Sequence, residues 1–247
     1  MAAAVELIAA PWNLGQAPPA PGREPEAWRG PQALLSAGLE ERLCPARTVE
    51  LDRPPYDFDP QPATRIRNGV PLREHTLRLG EAVRSALAAA RFPVVLGGDR
   101  SILLGSLLGA RRAGRCGLVH LTAHEDVRVS GSSLAAADAM ALSLATGHGE
   151  LLLSHWPEVG TLVSSDEVLQ NSDAARLERL GPDRVWLHLD LDVLAANDPA
   201  QLTGLIGTGR VVGLDIAVPH PDGVDAARAV DLLTSALSPL ASQEAHA

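Results

Sequence analysis

The stretch "PVVLGGDRSILLGSLLGARRAGRCGLVHLTAHED", residues 93–126, decides the fold. Its first part is a short apolar run that stops at Gly97-Gly98-Asp99. Residues 101–113 then carry apolar side chains at helical spacing, and "CGLVHLT" is a second apolar run. Strand, turn, helix and strand in this order form a crossover between parallel strands. A strand that is apolar at every position is covered on both faces.

The pattern extends in both directions. Upstream, strands are expected at 5–10 and 47–51, with helices at 30–43 and about 72–91 and Pro-rich loops at 11–31 and 52–64. Pro31, just inside the start of the 30–43 segment, suits the first turn of a helix. Downstream, helices are expected at about 132–146, 171–180 and 223–237, and strands at 161–165, 184–193 and 210–218. The expectation is one three-layer αβα domain over residues 1–240 with a mostly parallel sheet, followed by a tail at 241–247.

Composition excludes several functions. The 247 residues are 46% hydrophobic and 3% aromatic, so an aliphatic core is built from Ala, Leu and Val. A net charge of −9 argues against nucleic acid. No apolar run is long enough to span a membrane, and Glu6 spoils the start as a signal peptide. Cys44 and Cys116 lack metal-ligand spacing. A cytoplasmic location is the resulting expectation. The chain contains no lysine. This removes Schiff-base chemistry and the lysine of a phosphate-binding Walker loop.

In a sheet of this kind, ligands bind at the carboxyl ends of the strands. Three strand ends carry polar groups: Gly97-Gly98-Asp99, then His124 with Asp126, then Asp190 with Asp192. The two aspartates of "LHLDLDVL" are two apart, so in an extended strand they share a face. Like charges so close repel unless a cation lies between them. Each stretch alone is weak, since a polar loop or a tight turn explains it as well.

Taken in order, the stretches resemble the arginase–agmatinase family of ureohydrolases. That family shows G-G-D-H-S, then D-A-H-x-D, then S-x-D-x-D with an Asp-Pro shortly after. Here stand Gly97-Gly98-Asp99-Arg100-Ser101, Thr122-Ala123-His124-Glu125-Asp126 and His188-Leu189-Asp190-Leu191-Asp192, with Asp198-Pro199 downstream. "RGPQALLSAGLEERL" and "VVGLDIAV" are also similar to the family. The resemblance implies an arginase-like fold, a centre of two manganese ions, hydrolysis of a guanidino or amidino carbon–nitrogen bond, and a homo-oligomer.

Several positions depart from the pattern. Arg100 replaces a histidine ligand of the first metal, and Thr122 replaces a bridging aspartate. Asp138, in "DAMALSLATG", stands where the catalytic histidine belongs, and Val218 replaces a glutamate that meets the guanidinium. The retained ligand positions are His124, Asp126, Asp190 and Asp192. Three carboxylates and one arginine need one divalent ion rather than two. Arg100 is therefore expected to fill the first metal's region and pair with Asp126 and Asp190, because a guanidinium stays charged and meets carboxylates in a planar fork.

At most one ion is expected, manganese ahead of zinc and iron. Asp138 is the candidate proton carrier, and Arg128 is a candidate contact for an acidic small-molecule substrate. The competing readings are an inactive homologue that binds a small molecule or scaffolds a partner subunit, and a repurposed metal-free enzyme.

Overall fold

In the computed structural model the described residues are 4–124, 134–191, 199–238 and 240. Asp126, Arg128, Asp192, Asp198 and the tail 241–247 lie outside them. Among the described residues, seven strands form one all-parallel sheet in the order β2-β1-β3-β7-β6-β4-β5. They are β1 (Val5–Ala10), β2 (Arg47–Glu50), β3 (Phe92–Gly97), β4 (Gly117–Leu121), β5 (Val168–Gln170), β6 (Val185–Asp190) and β7 (Val211–Ala217). Every residue of the inner strands β3, β4 and β6 is buried, whereas the edge strands β2 and β5 are short and partly exposed.

The helices are α1 (Gly30–Ser36), α2 (Leu39–Leu43), α3 (Gly69–Ala88), α4 (Ile102–Arg112), α5 (Ala141–Ala145), α6 (Leu151–Ser154), α7 (Ala174–Leu177), α8 (Pro199–Gly207) and α9 (Ala226–Ala236). Alternate strand residues feed two cores. Ile8, Val95, Leu118 and Trp186 pack with Leu72, Leu79 and Val83 of α3 and Leu103, Leu104 and Leu107 of α4. Leu7, Val94, Leu96, Val119, Leu187 and Ile216 pack on the other face with Leu34, Leu39, Leu205, Val230 and Leu233. The result is the expected three-layer arrangement. Among the described residues no helix is long and apolar enough to cross a membrane.

Three expectations are corrected. The helix at 30–43 is two helices, because Gly38 adopts φ +90 and breaks the run. The helix at 132–146 is a 3₁₀ turn (Ala137–Met140) followed by α5; residues 134–136 instead run beside residues 65–67, and 125–133 are not described. No strand occurs at 161–165. Leu162 and Val163 are apolar because they plug the core, with both N–H groups bonded to the Ala145 carbonyl, and the edge strand is β5.

The glycine pair after β3 is set by close approach. A Cβ on Gly98 would lie 1.9 Å from the Trp12 carbonyl oxygen, so only glycine lets the loop after β1 cross the end of β3.

Candidate functional site

Four chain segments converge on the carboxyl ends of β3, β6 and β4. The register sets Thr122 and Asp190 in one row, with His120, His188 and Asp215 in the row beneath, all on the face that packs against α3 and α4. Asp190 is fully buried. Its Oδ2 accepts from Arg100 Nε at 2.5 Å and from the Thr122 hydroxyl at 3.3 Å. Arg100 also donates from its guanidinium to Asp138 Oδ2 at 3.1 Å and from its backbone N–H to Asp138 Oδ1 at 2.8 Å. Both ion pairs are nearly closed to solvent, with Arg100 13% and Asp138 12% exposed.

The loop after β1 locks this arrangement. Gly15 donates its N–H to Asp99 Oδ2 at 2.8 Å and accepts the Asp138 N–H at 3.0 Å. Asp99 also accepts from the Ser101 N–H and hydroxyl. Burial nevertheless dominates, reinforced by the neighbouring Asp138 charge, and pushes the Asp99 carboxyl up to about 7. Burial also raises Asp138 from its ordinary range, against the pull of Arg100.

The structure thus brings together Arg100, Asp138 and Asp190. The expected pairing of Arg100 with Asp190 is present. Asp138 is a second partner that the sequence had suggested only as a proton carrier. His124 is exposed just beyond β4, its N–H bonded to the Thr122 hydroxyl at 3.0 Å. Asp126, Asp192 and Arg128 fall outside the described residues. Val218 is buried in the apolar core.

One row below, a second polar group was missed. Asp215 accepts from Trp186 Nε1 and from His188 Nδ1, the latter at 2.5 Å. His120 stacks on His188 with ring centroids 4.7 Å apart. Burial, helped by the neighbouring His188 and Arg100, holds His120 well below the usual imidazole range, so it is neutral. The signal was visible: "VHL", "LHL" and "LDIA" each place one polar residue among buried apolar ones.

The described donors alone do not make a two-manganese set. Arg100 occupies Asp190 Oδ2, and Thr122 offers a hydroxyl where a bridging carboxylate is needed. Among the described residues no three His, Cys, Asp or Glu side chains could hold a metal ion. One acceptor does remain: Asp190 Oδ1 is buried and has no hydrogen-bond partner among the described residues.

A family model described as "Arginase family" matches residues 3–160. An arginase from Bacillus caldovelox is 31% identical over 144 residues, which cover 52% of this chain and 44% of that protein. A formimidoylglutamase from Nocardia farcinica is 33% identical over 144 residues, covering 47% and 43%. The chain therefore matches less than half the length of these curated relatives. The solved native structure of the Bacillus caldovelox arginase superposes with a TM-score of 0.75 at 22% identity, over 95% of this chain and 98% of that one.

Proposed function

Because this chain belongs to the arginase family, we propose that it is a ureohydrolase-fold protein with a remodelled centre, which takes a small guanidino or amidino compound and hydrolyses its C–N bond with at most one divalent ion. The observation that carries this reading is Arg100. Its guanidinium pairs with Asp190 and Asp138 at the strand ends, where a fixed positive charge does the neutralising work of one cation. Among the described residues Asp190 Oδ1 is the buried acceptor left over, with His124 just beyond the end of the neighbouring strand β4. Asp126 and Asp192 complete the ligand set that the family pattern supplies. A divalent ion held there would polarise the substrate and lower the pKa of water.

The chain's own residues have distinct tasks. Arg100 holds Asp190 fixed. Thr122 holds the same oxygen from the other side. Asp138 has the raised pKa that suits a proton carrier. Its two bonds from Arg100 favour a second reading, in which the carboxylate is structural and the protein binds its ligand without turning it over.

The test is the metal content of purified protein after manganese loading, together with turnover of a panel of guanidino and amidino compounds. One ion per chain with C–N hydrolysis supports the first reading. Ligand binding with no turnover selects the second. Two ions per chain would remove both.

A further inference from the structure

Among the described residues Arg67 has no ion-pair partner, and it lies on the segment that runs beside Ala135, three residues before Asp138. Its backbone is tied to the segment that delivers Asp138. The Ala135 N–H donates to the Arg65 carbonyl at 2.7 Å, the Arg67 N–H donates to the Ala135 carbonyl at 2.9 Å, and Ile66 and Ala135 form a parallel bridge. Ile66 is buried in the core, so the Arg67 side chain leaves the opposite side of this short ladder. Next door, Asn68 Oδ1 accepts the Asp57 N–H at 2.8 Å and fastens the loop that carries Tyr56. The Tyr56 hydroxyl donates to the Gln16 carbonyl at 2.8 Å, one residue from the Gly15 that binds both Asp99 and Asp138. Tyr56 lies within reach of both the Arg67 and the Asp99 charges. Arg67 and the buried Asp99 therefore both lie near the same tyrosine.

The acids around it are committed elsewhere. Glu24 is taken by Asn13 and Arg53, Asp138 and Asp190 by Arg100, and Glu150 by Thr64 and the Arg65 N–H. Arg67 Nε is buried with no hydrogen-bond partner among the described residues, while the side chain as a whole is only half-buried. An arginine so placed, in a chain of net charge −9, does not follow from packing or from ion pairing. A planar guanidinium with an open edge suits a carboxylate, which it meets through two parallel bonds.

We propose that Arg67 is the receptor for a carboxylate on the small molecule, so that the ligand is a guanidino or amidino acid rather than the corresponding amine. This rests on the guanidino/amidino reading of the site and narrows it. Arg67 anchors the far end of the ligand and leaves the C–N end to the Arg100 centre.

The experiment is calorimetric binding of guanidinobutyrate and of aminobutylguanidine, probes that share a guanidine and a spacer and differ in the end group. Wild type should bind the acid at least about tenfold tighter than the amine, the scale of one charged hydrogen-bonding contact. Arg67→Gln should lose that preference with an unchanged melting temperature, and Arg67→Lys should regain part of it. Equal affinity of wild type for acid and amine, or an undiminished preference in Arg67→Gln, overturns the role of Arg67 and leaves the guanidino reading intact. Failure of wild type to bind either probe overturns that reading and this one with it.

Discussion

Two polar clusters lie one row apart on the same face of the sheet, and they solve burial in opposite ways. The upper one is ionic: Asp190 and Asp138 share Arg100, and one carboxylate oxygen, Asp190 Oδ1, is left without a partner among the described residues. The lower one is held by two bonds to Asp215 and by ring stacking, with His120 Nδ1 and His188 Nε2 left without partners among the described residues. Asp215 takes both Trp186 and His188, and His120 lies neutral against His188. The difference lies in what each still lacks. The upper cluster has an open acceptor beside a strand end where ligands bind, whereas the lower is enclosed by core side chains. A carboxylate with one open oxygen at the strand end marks the working part of this face, and a carboxylate with both oxygens bonded marks its support.

Removing the arginine should produce the largest effect. Arg100→Ala leaves Asp190 and Asp138 buried without their cation. Deleting one side of a buried ion pair costs roughly 3–5 kcal/mol. Melting in chelator should show that loss. Manganese should restore part of it, since an ion that binds only the folded form stabilises it. A mutant that melts like wild type in chelator would mean that the upper cluster is not held by charge.

The lower cluster should respond less and ignore metal. Asp215→Asn keeps the shape but turns an amide NH₂ toward one of two buried donors. Leaving such a donor unpaired costs about 1–3 kcal/mol. The deficit should be the same in chelator and in manganese. A manganese-dependent deficit would join the two clusters into one site.

The two clusters were not equally legible. The β3 and β6 ends could be read because Gly97-Gly98-Asp99-Arg100 and Asp190-x-Asp192 are local patterns, and the Arg100–Asp190 pair followed from charge balance. Asp138 was named, but its bonds to Arg100 depend on how the loop after β1 holds residue 138, which no spacing reveals. His120, His188 and Asp215 were each visible as a polar residue in an apolar strand, yet their union depends on register across β4, β6 and β7. Leu162 and Val163 misled because a core plug and a strand share the same apolar signature. Arg67 could not be read at all, because lacking a partner is a property of the folded surroundings.

Rebuilding the family pattern should bring a smaller gain and sharpen the contrast. Arg100→His with Thr122→Asp restores both missing ligands. The pair should bind more manganese than wild type, and neither single change should gain as much, since each leaves one donor absent. With free ion at ten times its Kd the stabilisation is only about 1.4 kcal/mol. Equal uptake by wild type and the pair, measured by titration, would show that the ionic network never displaced a metal.

The smallest effect concerns the acid that lies behind the upper cluster. Asp99 is held up to about 7 by burial and by the Asp138 charge, although three hydrogen bonds favour its ionised form. A carboxyl raised in the folded state binds its proton more tightly there than in the unfolded chain, whose value lies in the ordinary range near 4. Between these values the folded state carries more protons, so this group's contribution to stability is full below about 4, falls as the pH rises, and is lost through about 7. Asp99→Asn has no proton to exchange. The melting temperature of wild type relative to Asp99→Asn should therefore increase as the pH is lowered from about 7 to about 5. Wild type will also respond through its other acids, so only the difference between the two proteins reports on Asp99. Adding Asp138→Asn to both should narrow the effect, because it removes the charge that helps keep Asp99 protonated. A difference that stays flat from about 5 to about 7 would mean that the bonds from Gly15 and Ser101 win, that Asp99 is ionised, and that the upper cluster carries one more negative charge for a cation to meet.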